Sequence, residues 1–250
     1  MNFGALIIGD EILSGKRQDK HLPRLIGALK GRGLQLAWCQ YLGDDPALIT
    51  DVLKRTLAGD TPIFSFGGIG ATPDDHTRAC AARAAGMPLV LHPDAEREIR
   101  GRFGTEVTPQ RLAMGEFPQG SAIIPNPYNR IPGFSLRRHY FLPGFPEMAW
   151  PMMEWVLDTH YKALFDPGRV AESSIIVREA GESQLITLMN DTLRRFPDLK
   201  VFSLPRLEPD RHIELGARGN PTQVAAAMAM IEAGVSALGF PWTASQPASA

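Results

Sequence analysis

The order of apolar segments in the first 86 residues constrains the fold more than any other feature of this chain. Short, continuous apolar runs stand at 3–9, 34–43 and 61–68, and segments with apolar residues at helical spacing occupy 21–33, 46–59 and 74–86. A short apolar run without alternation is typical of a strand buried on both faces. The resulting β-α-β-α-β-α order predicts a parallel sheet covered by helices on both sides.

Polar segments follow each of the three predicted strands. The first strand runs into GDEILSGKRQD, the second into LGDDPALI and the third into SFGGIGATPDDHT at 65–77. Parallel α/β sheets bind ligands at the carboxyl ends of their strands. We therefore expect all three segments to lie together at a ligand-binding edge.

Carboxylates are the first feature that these segments share. Asp10 and Glu11 follow the first strand, Asp44 and Asp45 the second, and Asp75 the third. Taken singly, Asp44 or Asp45 is readily explained as the N-cap of a helix. Three acidic clusters that meet in one cleft repel one another without a counter-ion, and Mg²⁺ and Mn²⁺ favour oxygen ligands. The convergence predicts a divalent cation at this edge.

Glycines are the second shared feature. Gly67, Gly68 and Gly70 would leave backbone N–H groups free at the start of the third helix, where the helix end carries a partial positive charge suited to phosphate. Thr72 and Thr77 add hydroxyl donors or, alternatively, cap that helix. The loop is neither a Walker A sequence nor a GxGxxG fingerprint. It indicates a phosphorylated ligand, with an ordinary strand-to-helix loop as the alternative.

Composition limits the class of protein. The 250 residues carry a net charge of −1, which creates no general attraction for nucleic acid or acidic lipid. No apolar run reaches the roughly 18 residues that span a bilayer, and the N-terminus lacks a basic leader. Cys39 and Cys80 form no CxxC pair. We expect a cytoplasmic protein that binds neither nucleic acid nor membranes.

The second half of the chain has a different organisation. A segment rich in Pro and Gly at 166–172 indicates a linker. A β-α-β-β-α order follows, which is typical of a small ferredoxin-like α+β unit. We predict a first domain over 1–165, a small α+β domain over 172–240 and a disordered tail over 241–250.

Four segments in order resemble the molybdopterin-binding fold family of the MoaB, MogA and MoeA proteins: GDEILSGKRQD, YLGDDPALI, FGGIGATPDDHTRACAARAAGMPL and FLPGFPEM. They are most similar to the N-terminal domain of CinA, the competence/damage-inducible protein. The resemblance implies a three-layer α/β/α sandwich with a mostly parallel sheet, followed by the small ferredoxin-like domain, and a homo-oligomer. Full-length CinA proteins continue into a deamidase domain, so we expect that activity to be missing from this chain.

The resemblance also assigns roles to residues. Asp44 and Asp75 match acidic residues implicated in adenylyl and metal chemistry, and they are our predicted catalytic residues. With Asp10 they form the predicted set of ligands for Mg²⁺, Mn²⁺ or Co²⁺. Gly67, Gly68 and Gly70 match the glycines that hold the ligand's phosphate. The predicted ligand site as a whole consists of Gly9, Asp10, Glu11, Ser14, Gly67, Gly68, Gly70, Thr72, Asp74, Thr77, Pro143 and Gly144.

The sequence departs from the family pattern in the first loop. Many CinA sequences read D-x-N where this chain has Asp19, Lys20 and His21, so an imidazole replaces an amide. His21 and His76 each stand alone in their segments. We expect both to lie on a helix face or in solvent rather than at a metal.

Three functions remain open from the sequence. The first is a metal-dependent nucleotide pyrophosphatase, a hydrolase that releases AMP from ADP-ribose or a similar dinucleotide. The second is a protein of molybdenum cofactor biosynthesis that binds molybdopterin or transfers an adenylyl group. The third is a regulatory module that binds its ligand without catalysis. Pterin and adenine are both flat heterocycles with phosphate tails, so the sequence does not separate these ligands.

Overall fold

The computed structural model describes residues 1–245. The chain divides into two compact units, Met1–Phe165 and Asp166–Ala250. None of the helices in the described part is both long and apolar enough to cross a membrane.

The first unit is built on a six-stranded sheet with helices on both sides. Its elements in chain order are β1 (Asn2–Ile8), α1 (Asp10–Leu13), α2 (His21–Lys30), β2 (Gln35–Leu42), α3 (Pro46–Leu57), β3 (Ile63–Phe66), α4 (Thr77–Ala85), β4 (Leu89–Leu91), α5 (Pro93–Phe103), α6 (Pro109–Ala113), β5 (Glu116–Pro118), β6 (Ala122–Ile124), β7 (Gly133–Leu136), β8 (His139–Leu142) and α7 (Pro146–His160). Strands β4 and β5 form a separate antiparallel pair.

The main sheet has the strand order β2-β1-β3-β8-β7-β6. β2, β1, β3 and β8 pair in parallel, whereas β7 and β6 add antiparallel strands at one side. The predicted mostly parallel sheet is therefore confirmed.

Two hydrophobic clusters cover the two faces of this sheet. Phe3 and Ala5 of β1 belong to the cluster that includes α2 and α7, whereas Leu6 and Ile8 belong to the cluster that includes α3 and α4. Alternate residues of a strand point to opposite faces. The three-layer α/β/α arrangement implied by the resemblance is confirmed.

Two local signals explain why α3 begins at Pro46. Asp45 caps α3, because its side chain accepts hydrogen bonds from the amides of Ala47 (2.8 Å) and Leu48 (3.3 Å). Pro46 occupies the first turn, where its missing N–H is not needed. The alternative that one of the two adjacent aspartates is a helix cap is correct for Asp45.

The second unit is a four-stranded antiparallel sheet with two helices. Its elements are β9 (Ala171–Val177), α8 (Glu182–Arg195), β10 (Lys200–Arg206), β11 (His212–Gly219), α9 (Pro221–Ala237) and β12 (Trp242–Ala244). The strand order is β10-β11-β9-β12. The β-α-β-β-α-β sequence of elements is that of a ferredoxin-like unit. Leu185 of α8 and Ile231 of α9 are fully buried in its core.

The prediction of a disordered tail over 241–250 is wrong for its first part. Trp242–Ala244 forms β12, which pairs with β9 so that Thr243 stands opposite Ile176. The Trp242 indole donates to the Ser236 hydroxyl (2.9 Å). A three-residue strand is too short for its pairing to show in the sequence. Residues 246–250 lie outside the described part of the chain.

Candidate functional site

The carboxyl ends of β1, β2, β3 and β8 meet at one edge of the main sheet. Backbone hydrogen bonds join neighbouring ends: the Gly9 amide donates to Leu42 (3.0 Å), and the Gly67 amide donates to Leu142 (3.0 Å). The loops that follow these strands contain the predicted ligand residues. The fold thus brings the predicted segments to a common edge.

The turn after β3 requires glycine at two positions. Gly67 has φ +103°, and a Cβ there would stand 2.1 Å from the carbonyl oxygen of Ile8. Gly68 has φ +69°, and a Cβ there would stand 2.3 Å from the hydroxyl of Thr77. Only glycine combines a left-handed backbone with so little space. The backbone of this turn therefore packs directly against the end of β1 and the start of α4.

Backbone donors in this loop are unengaged. Among residues 1–245, the amides of Gly68, Ile69 and Gly70 donate to no protein acceptor. Successive amides in a turn that leads to a helix form a concave site for anions. The arrangement is suited to a phosphate.

The side chains of Thr72, Asp75 and Thr77 form hydrogen bonds within the glycine loop. Asp75 accepts hydrogen bonds from the Thr72 hydroxyl and from the Thr72 amide (2.8 Å). Thr77 is fully buried and donates to the Gly67 carbonyl (3.1 Å). A Cβ at Gly70 would stand 2.5 Å from Asp75 Oδ2. The hydroxyls of Thr72 and Thr77, which we predicted to donate to the ligand or to cap the helix, donate within the loop instead, and no side chain of the described residues caps α4.

Asp10 and Asp44 form a reciprocal pair across the ends of β1 and β2. The Asp10 amide donates to Asp44 Oδ2 (2.9 Å), and the Asp44 amide donates to Asp10 Oδ1 (3.1 Å). Within the described residues, the second oxygen of each carboxylate accepts no hydrogen bond. Burial raises the pKa of Asp44, the charges of Asp10, Glu11 and Asp74 add to this, and the Asp10 amide opposes it. The excess negative charge favours a cation or a proton at this position.

An open pocket of about 520 Å³ lies at this pair. The side chains that line it are Asp10, Glu11, Leu13, Ser14, Lys16, Asp44 and Asp74. Five of them were predicted to belong to the site. Asp75 does not line this pocket, and its place is taken by Asp74. The pocket is strongly acidic, with Lys16 as its cationic side chain.

The predicted set of metal ligands is not assembled in the structure. In the described part of the chain, no three His, Cys, Asp or Glu side chains are placed to hold a metal ion. Asp10 and Asp44 are together, but the carboxylate of Asp75 turns back to Thr72. A turn contact over three residues and a metal ligand have the same sequence pattern, so the sequence could not separate them.

A second pocket of about 380 Å³ opens between the segment after α1 and the start of α7. It is lined by Glu11, Ile12, Arg17, Gln18, Asp19, Lys20, His21, Gly144, Phe145, Pro146 and Glu147. Glu11 borders both pockets, so they adjoin. Gly9 is buried beside the Glu11 carboxylate, and Pro143 directly follows β8. Exposed Phe145 and two cationic side chains make this pocket suitable for a ring that carries an anionic group.

His21 departs from the family pattern and lies at this edge. It begins α2 and is only 6% exposed, so of the two positions we expected, a helix face or solvent, it has the helix face, on the buried side. Its ring stacks on Phe66, with ring centroids 4.6 Å apart. Burial lowers the pKa of His21, and its contact with Gly144 together with the charges of Asp19 and Glu147 opposes this. The sequence signal for an unusual role of this residue was that His21 replaces the asparagine of the family's D-x-N pattern.

Comparison with known proteins identifies related chains. Residues 4–162 match a family described as a probable molybdopterin binding domain. A CinA-like protein of Geobacter metallireducens is 32% identical over 209 residues, covering 80% of this chain and 51% of that protein. One of Syntrophotalea carbinolica is 35% identical over 165 residues, covering 63% of this chain and 40% of that protein. The chain thus spans about half the length, or less, of these relatives.

A solved structure supports the assignment of the fold. The crystal structure of a CinA protein of unknown function from Thermoplasma acidophilum superposes with a TM-score of 0.58 at 27% identity. The match covers 64% of this chain and 98% of the Thermoplasma chain. The matched share of this chain is about the length of the first unit, Met1–Phe165.

Proposed function

The chain belongs to the family of probable molybdopterin-binding domains, and on this premise we propose that it is a divalent-metal-dependent nucleotide pyrophosphatase. Its substrate would be ADP-ribose or a similar dinucleotide, and AMP would be one product. The ligand would bind at the shared edge of β1, β2, β3 and β8.

One observation carries the proposal: unengaged donors and unengaged acceptors lie at the same edge of the sheet. Among the described residues, the amides of Gly68 to Gly70 are available to an anion, and the second oxygens of Asp10 and Asp44 are available to a cation. A pyrophosphate accompanied by a divalent ion would engage both groups at once.

The carboxylate pair fits a magnesium-like ion bound together with a substrate. Mg²⁺ is usually held by one or two carboxylates and completes its shell with water and substrate phosphates. Asp10 and Asp44 would supply the two carboxylate oxygens. When bound, such an ion polarises phosphoryl oxygens and lowers the pKa of water.

The residues of the chain would support hydrolysis in two ways. The amides of Gly68 to Gly70 would stabilise the negative charge that develops on the phosphate under attack. Asp10 and Asp44 would hold the divalent ion that lowers the pKa of the attacking water, and the proton of that water would pass to solvent. The water oxygen bonds to phosphorus, the P–O–P bridge breaks, and ADP-ribose gives AMP and ribose 5-phosphate.

The test is an incubation of ADP-ribose, FAD and NAD with Mg²⁺, Mn²⁺ or Co²⁺, followed by chromatography for AMP. We expect AMP from at least one substrate, and a loss of about 100-fold or more in Asp44→Asn. Asp45→Asn is the matched control, because asparagine caps a helix as well as aspartate does. If no substrate releases AMP with any of the ions, the proposal is wrong.

Asp75→Ala tests the remaining predicted catalytic residue, because alanine lacks the oxygen that accepts from Thr72. If Asp75 acts by holding the loop through Thr72, the variant should have a raised KM and a nearly unchanged kcat. A loss confined to kcat would instead place Asp75 at the reacting atoms.

A second candidate function is favoured by the family match. Molybdopterin is also a flat heterocycle with a phosphate, and the pocket beside Phe145 could take a pterin ring. Anaerobic equilibrium dialysis with molybdopterin would show binding, and ADP-ribose would stay intact in the incubation above. Binding that survives Asp44→Asn without any turnover would indicate a module without catalysis.

A further inference from the structure

His21 occupies a fixed position at the ligand edge. Its amide donates to Asp19 Oδ1 (2.8 Å), and the Leu22 amide donates to the other oxygen of the same carboxylate (3.1 Å). The Tyr41 hydroxyl donates to Asp19 as well (2.9 Å). Asp19 therefore links the start of α2 to the end of β2, independently of the His21 side chain.

The His21 ring joins two further strand ends. It lies nearly parallel to the ring of Phe66, the last residue of β3, at an interplanar angle of 18°. Its Nε2 is 3.0 Å from the carbonyl oxygen of Gly144, which follows β8. Because a carbonyl oxygen only accepts, the neutral ring donates from Nε2–H, and Nδ1 is a buried atom without a partner among residues 1–245.

Both contacts lead directly to the glycine turn. Phe66 precedes Gly67 in the chain, and the Gly67 amide donates to Leu142 at the end of β8 (3.0 Å). A Cβ at Gly144 would lie 3.6 Å from the Cα of Gly67, so these two backbones are neighbours. The imidazole thus holds β3 by stacking and the loop after β8 by a hydrogen bond.

We propose that His21 is a positioning residue for the ligand site. By fixing Phe66 and Gly144 together, it sets the Gly67–Gly68 turn so that the free amides that follow point to one phosphate. It does not contact the reacting atoms, since its ring is buried and its donor is engaged. The effect on ligand binding rests on the proposed function, whereas the effect on the turn does not.

Substitutions separate the stacking contact from the hydrogen bond. His21→Phe keeps an aromatic ring and removes the donor. His21→Gln places an amide nitrogen close to the position of Nε2, whereas His21→Asn places one close to Nδ1 and cannot reach Gly144. His139→Phe is the matched control, because His139 is also buried and its Nε2 contacts Thr56 (2.9 Å) at the other end of the sheet.

Two measurements are made on each variant of the 250-residue chain. Hydrogen exchange of the Gly67 amide, followed by NMR without ligand, reports the bond to Leu142. We expect it to be about fivefold faster or more in His21→Phe and His21→Asn, with a smaller change in His21→Gln and none in His139→Phe. Calorimetry with ADP-ribose should show a Kd raised about five- to tenfold in the same order.

The outcomes are distinguishable. If wild-type protein binds none of ADP-ribose, FAD and NAD, the proposed function fails, and the exchange data still decide the role of His21. Unchanged Gly67 exchange in His21→Phe, or an equal change in His139→Phe, overturns the proposal. If His21→Phe does not fold, His21→Gln and His21→Asn decide, and equal exchange rates in those two variants overturn it.

Discussion

The two ends of the main sheet use polar groups in opposite ways. At the amino end, Arg137 donates to the Leu57 carbonyl (2.8 Å), Arg138 to the Asp60 carbonyl (3.1 Å), and His139 contacts the Thr56 hydroxyl. At the carboxyl end, the amides of Gly68 to Gly70 and one oxygen each of Asp10 and Asp44 have no partner among the described residues. At the amino end, these side chains bond to neighbouring elements of the fold. At the carboxyl end, these polar groups are available to a ligand.

The two buried histidines show the same contrast. His139 links the start of β8 to the end of α3, two regular elements. His21 links a helix start to the loops that follow β3 and β8. Burial alone therefore does not identify a functional histidine. The two histidines differ in the segments that they contact: His21 contacts residues next to the glycine turn, whereas His139 contacts a regular helix.

Gly67→Ala should produce the largest effect. A Cβ at 2.1 Å from the Ile8 carbonyl forces the ends of β1 and β3 apart, so we expect the free energy of unfolding to fall by about 3 kcal/mol or more. Gly86→Ala is the control, because Gly86 has φ +67° but an added Cβ meets nothing within 4 Å. It should lose only about 1 kcal/mol of backbone strain. Equal losses in urea denaturation would show that tight packing at the carboxyl end is unimportant.

His139→Gln should change how stability depends on pH. Burial lowers the pKa of His139 to about 4 from 6.5, and the Arg137 charge adds to this. The unfolded chain binds this proton at higher pH than the folded chain, so stability is full above pH 6.5 and is lost as pH falls towards 4. The loss amounts to about 3 kcal/mol.

Denaturation of wild type and His139→Gln on either side of this pH window gives the comparison. The variant should have a flatter dependence, and the smaller slope that remains would come from other groups, among them His21, whose pKa is also lowered. If the pH dependence of stability were the same in the variant and in wild type, it would not come from the lowered pKa of His139.

Asp19→Ala should have a moderate effect at the carboxyl end. The change removes the acceptor for the amides of His21 and Leu22, and loss of such a helix cap costs about 1 kcal/mol. Asp51→Ala is a suitable control, since Asp51 is exposed and its ion pair with Lys54 is long (3.9 Å). Thermal unfolding of the two variants should differ, and identical midpoints would argue against the cap.

Asp44→Asn should have the smallest effect on stability and an opposite sign. The pKa of Asp44 is raised, so its charge is disfavoured in the folded state at neutral pH, and removing it should stabilise the protein by less than about 1 kcal/mol. The same variant should lose AMP release. A lower melting temperature would contradict this prediction, because asparagine keeps an oxygen that can accept from the Asp10 amide.

Much of the fold could be predicted because local patterns are strong. The predicted helix at 46–59 corresponds to α3 (Pro46–Leu57), and the predicted strand at 34–43 to β2 (Gln35–Leu42). We made no prediction for β4 to β7, since strands of three or four residues are too short for a periodic pattern. The edge strand β12 was missed for the same reason.

The candidate site could be predicted only in part. The sequence indicated that Asp10 and Asp44 follow neighbouring strands, and the structure places them in reciprocal contact. It could not indicate that Asp74 rather than Asp75 lines their pocket. Adjacent residues in a loop differ in direction by their dihedral angles, which composition does not report.

The amino-acid order by itself determined the alternation of strands and helices, the glycines at the turn after β3 and the family of the chain. These depend on neighbours within a few residues, where periodicity and backbone freedom act. Only the tertiary structure decided that Asp74 rather than Asp75 lines the pocket of Asp10 and Asp44, and that His21 is buried between Phe66 and Gly144. Such contacts join residues up to 123 positions apart, and the packing of separate strands, not the local chain, brings them together.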